Sequence, residues 1–274
     1  MKILFTSILL ILLGLILTAG IIIDKQSKYI QVKEIVKTGH TPYYEKKFKP
    51  QGLCFISDSS FLLTVHHDDM LTTAHEIDMK SLESIREFKL PPSATHTSGL
   101  TMVDSNTLVA VDYNDNNIYV VNLQKSFSEK KASIIEKTST SLKGTSSVCY
   151  FSHNNKNYLA VSEFMRSKRT YILDYDRLIK TRSFDEAVVA TYKNGWFSQG
   201  LTFHNGNIYE TTNSIFGNSV LEIRTLTDVL NENNEVIKVS VPAKGIEDID
   251  IKDGWFFTTD EKTFEYVKFT LDEH

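Results

Sequence analysis

Gln51-Gly52-Leu53-Cys54-Phe55 and Gln199-Gly200-Leu201-Thr202-Phe203 are two copies of one motif. Looser copies follow the same frame: Ser98-Gly99-Leu100-Thr101-Met102, Ser146-Ser147-Val148-Cys149-Tyr150 and Glu247-Asp248-Ile249-Asp250-Ile251. Counted from first residue to first residue, the five lie 47, 48, 53 and 48 residues apart. That period is the length of a four-stranded propeller blade and exceeds most helical repeats. The repeat therefore predicts an all-β chain, a five-bladed β-propeller.

Each copy is followed by a polar turn and a second β-rich run, at residues 61–65, 108–111, 158–161, 208–212 and 255–259. The turns carry Asn, Asp or Gly, as in Asn205-Gly206-Asn207 and Asp253-Gly254, where positive φ is wanted. Third strands read at residues 117–123, 170–175 and 264–269, and fourth strands at 84–90, 133–137, 188–192 and 236–241. The fifth unit holds only three strands, while a strand-like run at residues 29–36 stands unassigned ahead of the first. Pairing that run with the last blade closes the ring and removes an open edge. Residues 125–143 read as a polar surface excursion, and 178–189 as too short for a convincing helix.

Residues 3–23 form an apolar run with no charged side chain, long enough to cross a bilayer. The expected organisation is a signal anchor or signal peptide over residues 1–25 and a propeller over 26–274. An uncleaved transmembrane helix would tether the propeller outside the cytoplasm; cleavage would leave it secreted or periplasmic. The formal net charge of −4 provides no basic field for a phosphate backbone, so nucleic acid is not an expected partner. Cys54 and Cys149 occupy the same position in non-adjacent copies and read as small buried hydrophobes, not a disulfide. A monomer is expected.

In a propeller the first strand of every blade lines the central channel, so strand-one starts and strand-two ends from all blades converge on one mouth. This predicts a ligand-binding mouth formed by Gln51, Ser98, Ser146, Gln199 and Glu247, with Trp196 and Asn213 beside it. Glu247 is the candidate catalytic residue, because it puts a carboxylate where the other copies have Gln or Ser. Crowded by Asp248, Asp250 and Asp260, it could act as a proton acceptor or help hold a hard cation. The cation reading makes Asp112, Glu163 and Asp260 ligands for Ca²⁺, although no compact metal spacing is present. His66 and His67 read as polar loop residues.

Phe197-Ser198-Gln199-Gly200-Leu201, with Ile208-Tyr209-Glu210-Thr211-Thr212 and Gly217-Asn218-Ser219-Val220, resembles the blade motif of plant and bacterial propeller-type glutaminyl-peptide cyclotransferases. That family reads Phe-Thr-Gln-Gly-Leu, then Tyr-Glu-Ser-Thr-Gly, then Gly-x-Ser-Ser. The likeness extends to Gly245-Ile246-Glu247-Asp248-Ile249, where the family has Gly-Glu-Gly-Leu. The resemblance implies a secreted five-bladed propeller that converts N-terminal glutamine to pyroglutamate. It also implies that Gln199 orients the substrate and Glu247 shuttles the proton. Two alternatives stand beside this reading: a non-catalytic binding or scaffolding propeller, and a calcium-assisted hydrolase or lactonase.

Overall fold

A computed structural model of the chain describes residues 30–272, apart from 43, 47, 68–70, 166–168, 214–218 and 234. Residues 3–23, read above as a membrane or signal segment, lie outside the described residues. Among the described residues no helix is long and apolar enough to cross a membrane.

The strands form five antiparallel four-stranded sheets. Blade 1 comprises β2 (Lys49–Phe55), β3 (Ser60–His66), β4 (Thr72–Asp78) and β5 (Ser84–Lys89). Blade 2 comprises β6 (Thr97–Met102), β7 (Thr107–Asp112), β8 (Asn117–Asn122) and β9 (Ser133–Ser139). Blade 3 holds β10 (Thr145–His153), β11 (Lys156–Glu163), β12 (Arg169–Asp174) and β13 (Val188–Lys193). Blade 4 holds β14 (Ser198–His204), β15 (Asn207–Thr212), β16 (Ser219–Thr225) and β17 (Ile237–Val241). Blade 5 is built from β18 (Ile246–Lys252), β19 (Trp255–Asp260) and β20 (Glu265–Asp272), with β1 (Gln31–His40) as its outermost strand. β1 runs antiparallel to β20, Ile35 opposite Phe269 and Lys37 opposite Val267. The innermost strands β2, β6, β10, β14 and β18 each touch the next, and β18 touches β2, so the five blades form a closed ring.

Local chemistry explains the hairpins. Asn154-Asn155, Asn205-Gly206 and Asp253-Gly254 take successive positive φ values, the conformation that two-residue hairpin turns require. The apolar residues of neighbouring blades interdigitate in five clusters, one for each junction between blades. The inner strands meet backbone to backbone at the second position of the repeat. A methyl group at Gly200 would lie 2.6 Å from the Ile249 nitrogen, and one at Gly99 would lie 2.7 Å from the Ser147 Cα.

Short helices are the departure from the expected pattern. α1 (Leu123–Glu129), α2 (Tyr175–Thr181) with α3 (Phe184–Ala187), and α4 (Leu226–Leu230) follow the third strand of blades 2, 3 and 4. The surface excursion at 125–143 is thus a helix and a strand, and two helices lie within 175–187. In each of these three blades the last residue of the third strand caps the helix: Asn122, Asp174 and Thr225 accept from Lys125, Arg177 and Asp228 backbone N–H groups. Leu123 and Phe127 then fill the junction of blades 1 and 2, Tyr175 and Leu178 that of blades 2 and 3, and Leu226 and Val229 that of blades 3 and 4.

Candidate functional site

Every innermost strand carries an irregularity at the repeat motif. The register skips Ser98 in β6, Ser146 in β10 and Gln199 in β14. In β2 it skips Gln51 with Gly52, and in β18 it skips Glu247 with Asp248. A bulge places two residues opposite one and re-aims the extra side chain, a device common beside active sites. The five first-position residues are therefore bulge residues, all at the same end of the ring.

They do not share one environment. The Ser98 hydroxyl donates to the Thr145 carbonyl at 3.1 Å, and the Gln51 amide donates to the Pro50 carbonyl at 2.8 Å. Ser146 joins a buried hydroxyl ladder, 2.9 Å from Ser162, which is 2.9 Å from Ser198, which donates to Glu210. Only Gln199 and Glu247 engage each other, Gln199 Nε2 donating to Glu247 Oε1 at 3.3 Å.

Glu247 is 3% exposed. Burial, followed by the field of Glu261, pushes its carboxyl well above the ordinary value of 4.5; Lys49 opposes the shift, and Asp248 and Asp260 add to it. Its backbone is pinned by two hydroxyls, Thr211 Oγ1 and Thr258 Oγ1, which donate to its carbonyl at 3.2 and 3.4 Å. Asp248 braces the inner strands of blades 5, 1 and 2. Its Oδ2 accepts from the N–H groups of Leu53 and Leu100, and its Oδ1 from that of Ile249, at 3.0–3.1 Å. Asp250 accepts from Phe55 N, Ile251 N and Thr202 Oγ1. These two carboxylates thus tie inner strands together, whereas the Glu247 carboxyl meets the Gln199 amide.

Asn213 donates to the Ile246 carbonyl at 3.1 Å and accepts from Ser219, bracing blade 4 on blade 5 beside Glu247. Trp196 is 38% exposed with its ring 6.0 Å from Phe197. From there a string of rings crosses the mouth: Phe197 to Phe164 at 5.2 Å, Phe164 to Tyr113 at 5.6 Å, Tyr113 to His96 at 5.5 Å and His96 to His66 at 5.0 Å. Phe197 holds φ of 42°, a left-handed conformation that a bulky residue adopts only when its surroundings enforce it. Hydrogen bonds from Asn213 N to its carbonyl and from Ser198 N to the Phe164 carbonyl enforce it here. Burial, then His66 and Lys49, lower the His96 pKa to about 4, so its ring is neutral near pH 7.

The sequence marks Trp196 beside the mouth but gives no sign of a continuous aromatic wall. Tyr113 and Phe164 directly follow Asp112 and Glu163 at the ends of β7 and β11. His66, read as a polar loop residue, is the last residue of β3 and a member of the wall.

Asp112, Glu163 and Asp260, the residues considered for Ca²⁺, each stand in a separate hydrogen-bonded setting. Among the described residues no three His, Cys, Asp or Glu side chains gather as a cation would require. Asp112 and Asp260 spend their oxygens on turns: Asp112 accepts from His96, Asn114 and Asp115 backbone N–H groups, and Asp260 from those of Lys262 and Thr263. Asp260 also pairs with Lys37 at 2.9 Å. Glu163 accepts from Lys143 N and the Tyr171 hydroxyl. Both cysteines are buried free thiols.

Fold and site together define a closed five-bladed propeller in which the buried acid Glu247 meets the Gln199 amide, with a row of aromatic rings at the same end of the ring. A glutaminyl cyclase from Myxococcus xanthus has a similar fold, with a TM-score of 0.60 at 15% identity over 89% of this chain and 96% of that one. BamB from Moraxella catarrhalis aligns at a TM-score of 0.39 and 10% identity over 82% of this chain and 58% of that one, too distant to bear on function. No family model matches the sequence, and no curated protein does. The chain is structurally similar to a propeller glutaminyl cyclase.

Proposed function

We propose that the propeller binds a small or peptidic ligand at the Glu247 mouth and acts on it as a glutaminyl cyclotransferase. The observation that carries this reading is the contact between Gln199 Nε2 and Glu247 Oε1 at the mouth of a fold similar to that of a glutaminyl cyclase. In the reaction the free α-amine nitrogen of an N-terminal glutamine attacks its own side-chain amide carbon. A C–N bond forms, the bond from that carbon to the amide nitrogen breaks, and ammonia leaves. One proton must travel from the attacking to the departing nitrogen. A carboxyl raised well above 4.5 by burial can give a proton to the leaving nitrogen and recover one from the amine. Gln199 holds Oε1 in place, and the aromatic wall offers apolar faces to the rest of the ligand.

Purified protein incubated with glutaminyl dipeptides should release ammonia. Glu247→Gln should reduce release by at least about a hundredfold, within the range that general acid-base groups supply, while the far-ultraviolet spectrum stays unchanged. No release by the wild-type protein would sink the catalytic reading.

One observation favours a second reading, that of a non-catalytic binding propeller: Glu247 is only 3% exposed, whereas Trp196 stands 38% open to a partner. Saturable binding of glutaminyl peptides without turnover would select it. The apolar run at residues 3–23 supports a membrane-tethered or exported protein whose propeller lies outside the cytoplasm.

A further inference from the structure

The junctions between blades are not filled alike. Blades 2, 3 and 4 follow their third strand with a capped helix that packs into the junction with the preceding blade. Asp78 ends the third strand of blade 1 at the equivalent place, and its Oδ1 accepts from the Lys80 and Ser81 N–H groups in the manner of a cap. No helix follows. Leu82 turns back at φ of 60° and β5 begins at Ser84. The junction of blades 5 and 1 consequently lacks the helix that plugs the junctions of blades 1 and 2, 2 and 3, and 3 and 4, and it contains a cavity of about 360 Å³, within the size range of small-ligand sites.

Leu53, Phe61, Tyr266 and Val267, all buried, are among its lining residues. The Tyr266 hydroxyl is buried without a hydrogen-bond partner among the described residues, an arrangement that is unfavourable unless water or a ligand supplies the acceptor. Lys80 from blade 1 and Lys268 from blade 5 stand at the more open rim, and none of the lining residues is acidic. Lys268 lies 4.7 Å from the Trp255 ring centroid.

We propose that this cavity binds a small amphiphilic monocarboxylate, its aliphatic chain in the groove left by the absent helix and its head at the Lys80 and Lys268 rim. Apolar walls select the chain, the two ammonium groups select a negative head, and the Tyr266 hydroxyl donates to a ligand oxygen. The site is independent of Glu247, since it lies between blades and not at the channel mouth.

Calorimetric titration of the full chain with decanoate, below its micellar range, tests the proposal, with decanol and decyltrimethylammonium as neutral and cationic probes. Saturable binding of one decanoate is expected, with decyltrimethylammonium failing to compete. Lys80→Glu with Lys268→Glu should weaken decanoate roughly tenfold or more while changing decanol little, and Tyr266→Phe should weaken decanoate roughly 3- to 10-fold. Leu82→Trp, which fills the opening, should abolish binding of both; a cooperative melt confirms that each variant is folded. Absence of saturable decanoate binding, equal affinity for the cationic probe, or unchanged binding in folded Leu82→Trp would each overturn the proposal.

Discussion

Three carboxylates on one strand, Glu247, Asp248 and Asp250, have different fates because of where the β18 bulge falls. Asp248 and Asp250 are each met by backbone N–H donors of other blades, whereas Glu247 meets one side-chain amide. For Glu247 the sign of the pH effect follows from burial. An acid whose folded pKa exceeds its unfolded value contributes stability that is complete below the unfolded pKa and lost as pH rises through the folded one. With 4.5 as the unfolded reference and a folded value well above it, wild-type protein should lose stability relative to Glu247→Gln as pH rises above about 4.5. Titration of Asp248 and Asp250 is common to both proteins and cancels in the difference. Calorimetry should show the melting temperature of the variant rising relative to that of the wild type as pH is raised above about 4.5. A constant gap across that range would refute the assignment. Glu247 was legible in the sequence because the repeat supplies its own reference, four uncharged residues in register with one acid. The bracing role of Asp248 was not legible, because its donors Leu53 and Leu100 lie far away in the chain.

The helices show how an element can be real and still weakly written. Four to seven residues are too few for an apolar periodicity to develop, so no amphipathic pattern announced them. Their signal was the cap: an Asn, Asp or Thr ending the third strand, with its side-chain oxygen on the N–H three residues later. Their contribution is packing. Phe127 of α1 is 7% exposed, with its ring 5.2 Å from Phe88 and 3.9 Å from the Arg86 guanidinium. Phe127→Ala should lower the unfolding free energy by about 3–5 kcal/mol, the usual cost of removing a buried aromatic ring. Urea denaturation would measure it, and a loss below about 1 kcal/mol would mean that the junction of blades 1 and 2 does not depend on the helix.

At the scale of the whole molecule the ring is held by its two ends and by its axis. β1 covers the edge of β20, and Asp248 joins blade 5 to blades 1 and 2 from inside. A chain beginning at residue 41 would leave β20 as an open edge, an invitation to pairing between molecules. It should melt at lower temperature with reduced cooperativity and elute as oligomers in size-exclusion chromatography with light scattering; a monomer of unchanged stability would show that β1 does not hold the ring closed. By itself the sequence determined the blade number, the hairpin turns and the register of the channel, because a repeated motif of strand and turn residues is local and counts itself. Tertiary structure decided which carboxylates became braces, how His66, His96, Tyr113, Phe164, Phe197 and Trp196 came to form one wall, and which junction kept a cavity. Those outcomes depend on residues distant in the chain meeting across blades, and no spacing along the chain records the distances at which they meet.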